Sequence, residues 1–437
     1  MTTHRLRDVA MVLTSNVDKV VDPDEHPVRL CNYVDVYKNN FIHNDMPFKL
    51  GSATAAEIKK FRVKVDDVII TKDSETADDI GVPALVKSTA DDLVCGYHLS
   101  ILRADRRRMI GPFLYWHLLS KKSQEDFGNA ANGVTRYGLT LGGIKSIPIN
   151  VPDLATQRQI ADFLDRETAR IDLLIEQKQR LVALLGEKLE DDILRAVTLG
   201  IDPDAELVPE DELEWTSHRP RHWNVYRLKH FFRENTQYSS DGQETLFSLR
   251  MKEGLLPHND VSDKEIPPSD LINYKKVFPG QIVMNRMRAA IGLFGLANSA
   301  GIVSPDYSIF DVDSNAHAAY FLRLFKTEPM MAAFRLLSKG LGTGHSGFMR
   351  LNADNFGRIR VAVPEYEEQR LISEYVEERI GQITHLQTKN EQSIDRLKEY
   401  RSALIAAAVT GQIDVATYAK SGTPDRRLDA IQEEMGA

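Results

Sequence analysis

The chain has 437 residues, 42% hydrophobic and 27% charged, with a formal net charge of −8. That length predicts two or three domains rather than one core, and the composition excludes a disordered chain. No apolar run nears the ~18 residues of a membrane helix, MTTHRLRDVA lacks the apolar core of a signal peptide, and Cys31 and Cys95 stand alone; the sequence thus predicts a cytoplasmic protein without a disulfide framework or a bound metal.

Charge is unevenly spread. Residues 1–150 carry +1, 151–219 carry −9, 220–363 carry +5 and 364–437 carry −5. The acidity sits in two segments, and the stretches beside them are neutral to basic. A local basic face, not the whole-chain charge, is what a polyphosphate would meet.

In chain order, HRLRDVA (4–10) reads as a domain start and VKVDDVIITK (63–72) as a turn followed by a buried strand. GVPALV (81–86) and VCGYHLSIL (94–102) read as further strands, FLYWHLLSKK (113–122) as a helix and NGVTRYGLT (132–140) as a Gly-containing loop. IPINVP, ended by Pro152, precedes a long helix across 156–198, interrupted only by Gly186. Thr156 and Gln159 have capping-box spacing at its start.

The order then repeats. YRLKHFF (226–232), VFPGQIVMNR (277–286), GLFGLA (292–297), VSPDYSIFDV (303–312), AYFLRLFKT (319–327) and GLGTGHSGFMRLN (340–352) follow the same plan. IRVAVP, ended by Pro364, leads to a second long helix over 368–410, with Glu365, Glu367 and Glu368 at its positive N-terminus. Set against each other without gaps, 139–202 and 351–414 share 17 of 64 positions, where unrelated segments would share roughly 4. This is an internal duplication. A 43-residue helix extends about 65 Å.

Apolar residues on both helices recur at nearly 3.5, the period of a coiled-coil seam. The first stripe runs through Ile160, Leu164, Ile171, Leu174, Leu181 and Leu185, the second through Ile372, Val376, Ile383, Leu386, Ile394 and Leu397. Lys178 and Asn390 interrupt them at matched positions and are read as register-setting residues or as part of a solvated face. The predicted fold class is α+β: two similar mixed α/β domains separated by two long helices that form an intramolecular antiparallel coiled coil. The expected boundaries are 1–152 and 223–363 for the domains, 153–200 and 364–411 for the helices, 201–222 for a linker and 412–437 for a tail, polar and poorly ordered from 416.

The order domain, helix, domain, helix resembles the DNA-specificity subunit of Type I restriction-modification systems. VPDLATQRQIADFL and VPEYEEQRLISEYV are similar to that family's helix starts, and LIAAAVTGQIDV (404–415), with its weaker twin ILRAVTLGID (193–202), to its helix ends. The resemblance implies that each domain is a target-recognition domain reading one half of a bipartite site on double-stranded DNA. It implies that the helices set the half-site spacing and dock two methyltransferase subunits, which bind S-adenosylmethionine and methylate adenine. Motor-nuclease restriction subunits would complete the complex, with ATP and Mg held by partners and no cofactor by this chain. Major-groove faces recur every ~34–36 Å, within reach of such helices.

Recognition needs cations for phosphates and planar donors for base edges. The candidates are Lys72, Lys121, Lys122, Arg136 and Tyr137 in the first domain, and Arg286, Arg288, Lys339, His345 and Arg350 in the second. Arg286 and Arg288 flank Met287 after a strand and are expected on one face. The run RADRRR (103–108) is read as a basic turn after a strand, with a DNA role as the lesser alternative. Gln157, Arg158, Gln369 and Arg370 recur and are expected to tie each helix start to its domain or to a subunit. Ile171, Leu174, Leu185, Ile383, Leu386 and Leu397 are expected in the coiled-coil and subunit interface.

GLGTGHSG (340–347) lacks the Lys-Ser/Thr ending of a phosphate loop. IPPS (266–269) lacks the aromatic residue of an amino-methylation motif, and neither HExxH nor a nucleophile elbow is present. The reading is a non-catalytic recognition subunit. A DNA-acting enzyme with a dispersed nuclease site and a protein-binding scaffold without DNA recognition stand as the alternatives.

Overall fold

The computed structural model describes residues 2–213, 215–340 and 349–433, without the side chains of 432 and 433. It divides into two units, Met1–Leu181 with Thr388–Ala437, and Val182–Gln387. His345 and most of the 340–347 loop lie outside the described residues.

The central sheet of the first unit runs Ala10–Thr14, Leu99–Ala104, Val68–Thr71, Pro83–Val86, Phe41–Ile42, antiparallel except for the last pair. That of the second runs Phe232–Glu234, Tyr307–Val312, Ile282–Asn285, Phe294–Leu296, all antiparallel. The register agrees as well as the order. Thr71 faces Leu99 as Asn285 faces Tyr307, and Ala10 faces Ala104 as Phe232 faces Val312. Strand side chains alternate between faces, so equal register keeps equal sets of positions inward while the outward residues are free to differ.

Each sheet packs on a helix, Gly111–Leu119 in the first unit and Ala318–Phe325 in the second. Phe113, Trp116 and Phe127 fill the first core; the second is aromatic, with Phe356 packed tilted or edge-on among Phe232, Phe294, Phe310, Phe325 and Phe334. His117 is the polar member of the first core. Its Nε2 accepts from the amide of Asn150 at 3.0 Å and its Nδ1 meets the Ser123 hydroxyl at 3.1 Å, so the ring is neutral, and burial holds its pKa at about 4.

The long helices are Leu154–Leu199, 46 residues, and Tyr366–Thr410, 45 residues. The first is capped differently from the sequence reading. Asp153, not Thr156, is the N-cap: its carboxylate accepts from the amides of Ala155 and Thr156, and the Thr156 hydroxyl donates to it as well. A carboxylate just after Pro152 satisfies two orphan donors and faces the helix dipole, so it displaces the weaker hydroxyl cap. Gly200 and Gly411, at φ +83° and +74°, end the two helices in the left-handed conformation.

Within each unit, the parts of the two helices pair antiparallel. In the first, Arg401 donates to Asp172 at 3.2 Å, and Ile171, Leu397 and Leu404 are buried. In the second, Arg379 meets Asp192 at 2.7 Å while Gln387 donates to the carbonyl of Val182 at 3.2 Å. Asn390 is buried and Lys178 half-buried, where loss of hydration lowers the lysine's pKa. Leu181 falls outside the seam, 43% exposed.

Two segments depart from expectation. The span 201–222 is no free linker: Leu207–Pro209 pairs with His218–Pro220, and Leu213 and Trp215 enter the second core. The polar tail is ordered as helices Val415–Lys420 and Thr423–Glu433. Its few apolar residues share one face, so Val415 and Leu428 are buried in the first core and Tyr418 packs edge-on to Phe163. A low apolar fraction hid an amphipathic pattern.

Candidate nucleic-acid interface

Each domain is fixed to its helix by one glutamine. Gln157 is fully buried: its Oε1 accepts from the amide of Ile110 at 3.0 Å, and its Nε2 donates to the carbonyls of Arg108 and Pro152 at 2.8 and 2.9 Å. Gln369 makes the same three bonds, from the amide of His317 at 2.8 Å and to the carbonyls of Asn315 and Pro364 at 3.1 and 2.9 Å. An amide is the only side chain offering an acceptor and two donors in one plane. The neighbouring arginines differ. Arg370 is held by Glu367 and Glu374 on its own helix, whereas Arg158 makes no ion pair among the described residues.

In the second unit, cations gather at the end of the strand Ile282–Asn285. Arg286 donates from Nε to the Asp306 carbonyl at 2.6 Å and reaches its carboxylate at 3.4 Å. Arg350 approaches the same carboxylate at 3.6 Å, and the Leu351 amide donates to the Arg286 carbonyl at 2.9 Å. Lys339 pairs with Arg350 through the backbone. The strand ends at Asn285, whose side chain accepts from the amides of Met287 and Arg288. Arg286 and Arg288 therefore stand on a turn, where strand alternation does not apply: Arg286 is engaged by Asp306 and Arg288 is exposed.

Arg250 and Tyr307 are not among the sequence candidates, and Tyr307 stands near both Arg250 and Arg288. Burial raises the Tyr307 phenol's pKa, while a hydrogen bond from Asn285 and the nearby charges of Arg288 and Arg250 pull it down. Lys275 donates to the Tyr307 carbonyl at 2.6 Å. Arg250 ends the hairpin strand Phe247–Arg250, before the turn to Gly254–Pro257. The run RMKEG between two strand patterns was the available signal.

The corresponding place in the first unit is less basic. Lys72 follows Thr71 as Arg286 follows Asn285, and its carbonyl accepts from Leu139 at 2.7 Å, as that of Arg286 does from Leu351. Tyr137 pairs with Ser74, and His98 bonds Asp73 at 2.7 Å. Burial, then Asp79, Asp73 and Glu75 raise the pKa of Tyr33, marking a local acidic field. Arg136 is exposed on a loop turned by Gly133, where a Cβ would meet the Arg136 carbonyl at 2.0 Å. Lys121 and Lys122 are not brought here. They begin the helix Lys121–Ala130, whose far end leads to the pair Ala131 and Leu139, about 14 Å away at 1.5 Å per residue.

Of the interface candidates, Ile171, Leu397 and Ile383 are buried, Leu174 and Leu185 are half-buried, and Leu386 is 42% exposed. Among the described residues, no group of three or more His, Cys, Asp or Glu could hold a metal ion, and no helix is long and apolar enough to cross a membrane.

Each unit thus carries its own surface on a repeated frame, clasped to a long helix by a glutamine. Within this chain, residues 22–183 match the family described as Type I restriction modification DNA specificity domain. Its fold is shared with the HsdS subunit from Thermoanaerobacter tengcongensis at 17% identity and a TM-score of 0.54, over 94% of this chain and 97% of that one. A chain from work on complex assembly and conformational transition of the type I R-M system matches at 16% identity and a TM-score of 0.61, over 93% and 97%. No curated protein matches the sequence. The specificity-subunit family is generally non-catalytic.

Proposed function

We propose that each domain reads one half of a bipartite site on double-stranded DNA, and that the long helices set the spacing and dock two methyltransferase subunits. The chain itself performs no chemistry and carries no cofactor; S-adenosylmethionine, ATP and Mg belong to the methyltransferase and motor-nuclease partners, in the cytoplasm. The observation that carries this reading is the pair of identical glutamine clasps beneath two unlike surfaces. A frame held constant while its outward residues change suits two readings of different sequence. Docking is supported by apolar side chains left uncovered on the helices, Leu173 and Leu181 in the first unit and Leu184 and Tyr375 in the second, between 37% and 53% exposed.

Methylome sequencing of a host expressing the chain with its methyltransferase partner tests the proposal. The expected result is one motif of two short specified segments separated by a fixed unspecified spacer. A continuous motif, or none, overturns it.

The second domain supplies more of the phosphate attraction, because Arg250 and Arg288 are exposed cations beside Tyr307 while the first domain's face is mixed. Arg250→Ala with Arg288→Ala is expected to weaken DNA binding by the assembled complex on the order of tenfold and to reduce the slope of log K against log salt by about 2. Fluorescence anisotropy across a salt series measures both, and an unchanged slope would remove these two residues from the interface.

A further inference from the structure

A groove of about 720 Å³ in the first unit lies at the opposite end of the sheet from Lys72. It opens between the turn 64–67, the turn after strand Leu99–Ala104 and the start of the first long helix. The strand Val68–Thr71 begins beside this groove and leads to Lys72, roughly 13 Å away at 3.3 Å per residue.

The groove is preformed. Arg103 grips Asp67 with two hydrogen bonds of 2.8 and 2.6 Å, and that carboxylate is nearly inaccessible. Asp66 is one of two described non-glycine residues with positive φ, at +72°. Its carbonyl lies against Gly111, where an added Cβ would come within 2.1 Å. A strained backbone persists only where its surroundings fix it, and such strain collects at functional positions.

The second unit keeps this turn and drops its chemistry. Gly280, at φ +87°, stands at the same remove from Asn285 as Asp66 from Thr71. The Phe278 amide donates to the Gln281 side chain as the Lys64 amide does to Asp67. The wall pair is inverted: Gln281 donates to Asp311 where Asp67 accepts from Arg103. Lys64 is answered by Phe278, and the run RADRRR by DVDSN (311–315). Arg158 lines the groove without an ion pair among the described residues, while its repeat partner Arg370 is bound by two glutamates. Among the described residues, the first half of the duplication thus carries cations where the second carries Phe278, the run 311–315 and a glutamate-bound Arg370.

We propose that this groove is a docking site for an acidic, amphipathic segment of a protein partner, present once per chain. Lys64, Arg106 and Arg158 offer exposed cations at its rim, and Val65, 45% exposed, with Ile110 and Pro112 offers apolar contact. Asp66 pairs with the exposed Arg106 at 3.6 Å, and Asp162 also lines the groove. A continuous row of phosphates would be repelled by them, whereas a peptide can place amides there and its own carboxylates on the cations. Repeated helices offer equivalent surfaces twice; this groove breaks that equivalence.

The inference rests on the reading that the chain works inside a multi-subunit complex. The test uses that complex, purified with its methyltransferase partner and any further subunits, with Val65→p-benzoylphenylalanine as photo-cross-linker and Pro279→p-benzoylphenylalanine as the repeat control. Position 65 is expected to cross-link to an Asp/Glu-rich protein stretch, at no more than one per chain, and position 279 is not. Arg106→Glu with Arg158→Glu should cut the yield roughly tenfold; Arg370→Glu should leave it unchanged, and Arg106→Gln with Arg158→Gln should give an intermediate loss, with unaltered circular dichroism in each case. A cross-link to duplex DNA, equal yield at both positions, no cross-link, or a yield insensitive to charge reversal overturns the proposal. Bipartite methylation by the same preparation reports separately on the functional reading: methylation without the cross-link sinks the groove alone, and failure to assemble sinks both.

Discussion

Gln157→Ala is expected to destabilise the first unit by about 3–5 kcal/mol, and Gln369→Ala the second by a similar amount. Each substitution strands one amide and two carbonyls that have no other partner at the clasp, in a place where the glutamine is 0% or 1% exposed. An unpaired buried backbone group costs about 1–3 kcal/mol, against 0.5–1.5 for an average hydrogen bond, so desolvation dominates the loss. Gln157→Glu should be no better, because it keeps the acceptor and turns charge toward two carbonyls. Urea denaturation of the single and double variants measures this. Losses under about 1 kcal/mol would show that water or local movement replaces the clasp.

Acidification is expected to weaken the first unit by about 3 kcal/mol between pH 6.5 and pH 4, through His117 alone. The unfolded imidazole binds a proton near pH 6.5, while the buried ring resists until about 4. In that window the unfolded chain holds the extra proton, so stability falls as the pH falls; above the window the two states are equally neutral, and below it the loss is complete. His117→Gln preserves an acceptor for Asn150 and removes the titration. Its denaturation midpoint should be nearly flat over the window where the wild type declines, once the slope shared by other groups is subtracted. Equal slopes in both proteins would exclude His117 as the source. The second unit has Leu324 on its matching helix, and its own His317 is less buried, with a pKa lowered chiefly by desolvation and also by Arg370.

What could be read from the sequence was whatever the frame forces to be equal. Gln157 and Gln369 recur because the clasp needs an acceptor and two donors in one side chain, and Leu139 and Leu351 recur because each side chain is buried in the core of its unit. The candidate surface was harder, because its geometry depends on partners remote in sequence. Arg286 is a candidate cation by sequence, and its engagement by Asp306, twenty residues on, is invisible there. Lys121 and Lys122 begin a helix whose far end, not its start, leads to the other candidates, a matter of direction that composition does not carry. Arg250 entered from a hairpin whose position relative to Tyr307 no local pattern specifies. The helix cap shows the same limit on a small scale: two adequate caps lay three residues apart, and only the backbone path chose Asp153.

The tail helices set an order of events during synthesis. Residues 182–387 form one uninterrupted stretch with its own core, so they can fold as soon as they clear the ribosome. The other unit cannot: Leu397, Leu404, Val415 and Leu428 are part of its interior, and they are translated only after its neighbour is complete. Until then Ile171 and Leu164 wait with an unfilled side. A nascent chain stalled between these stages would present an apolar strip to chaperones or to a second chain, making truncation near residue 390 far more prone to aggregation than loss of the second reading head.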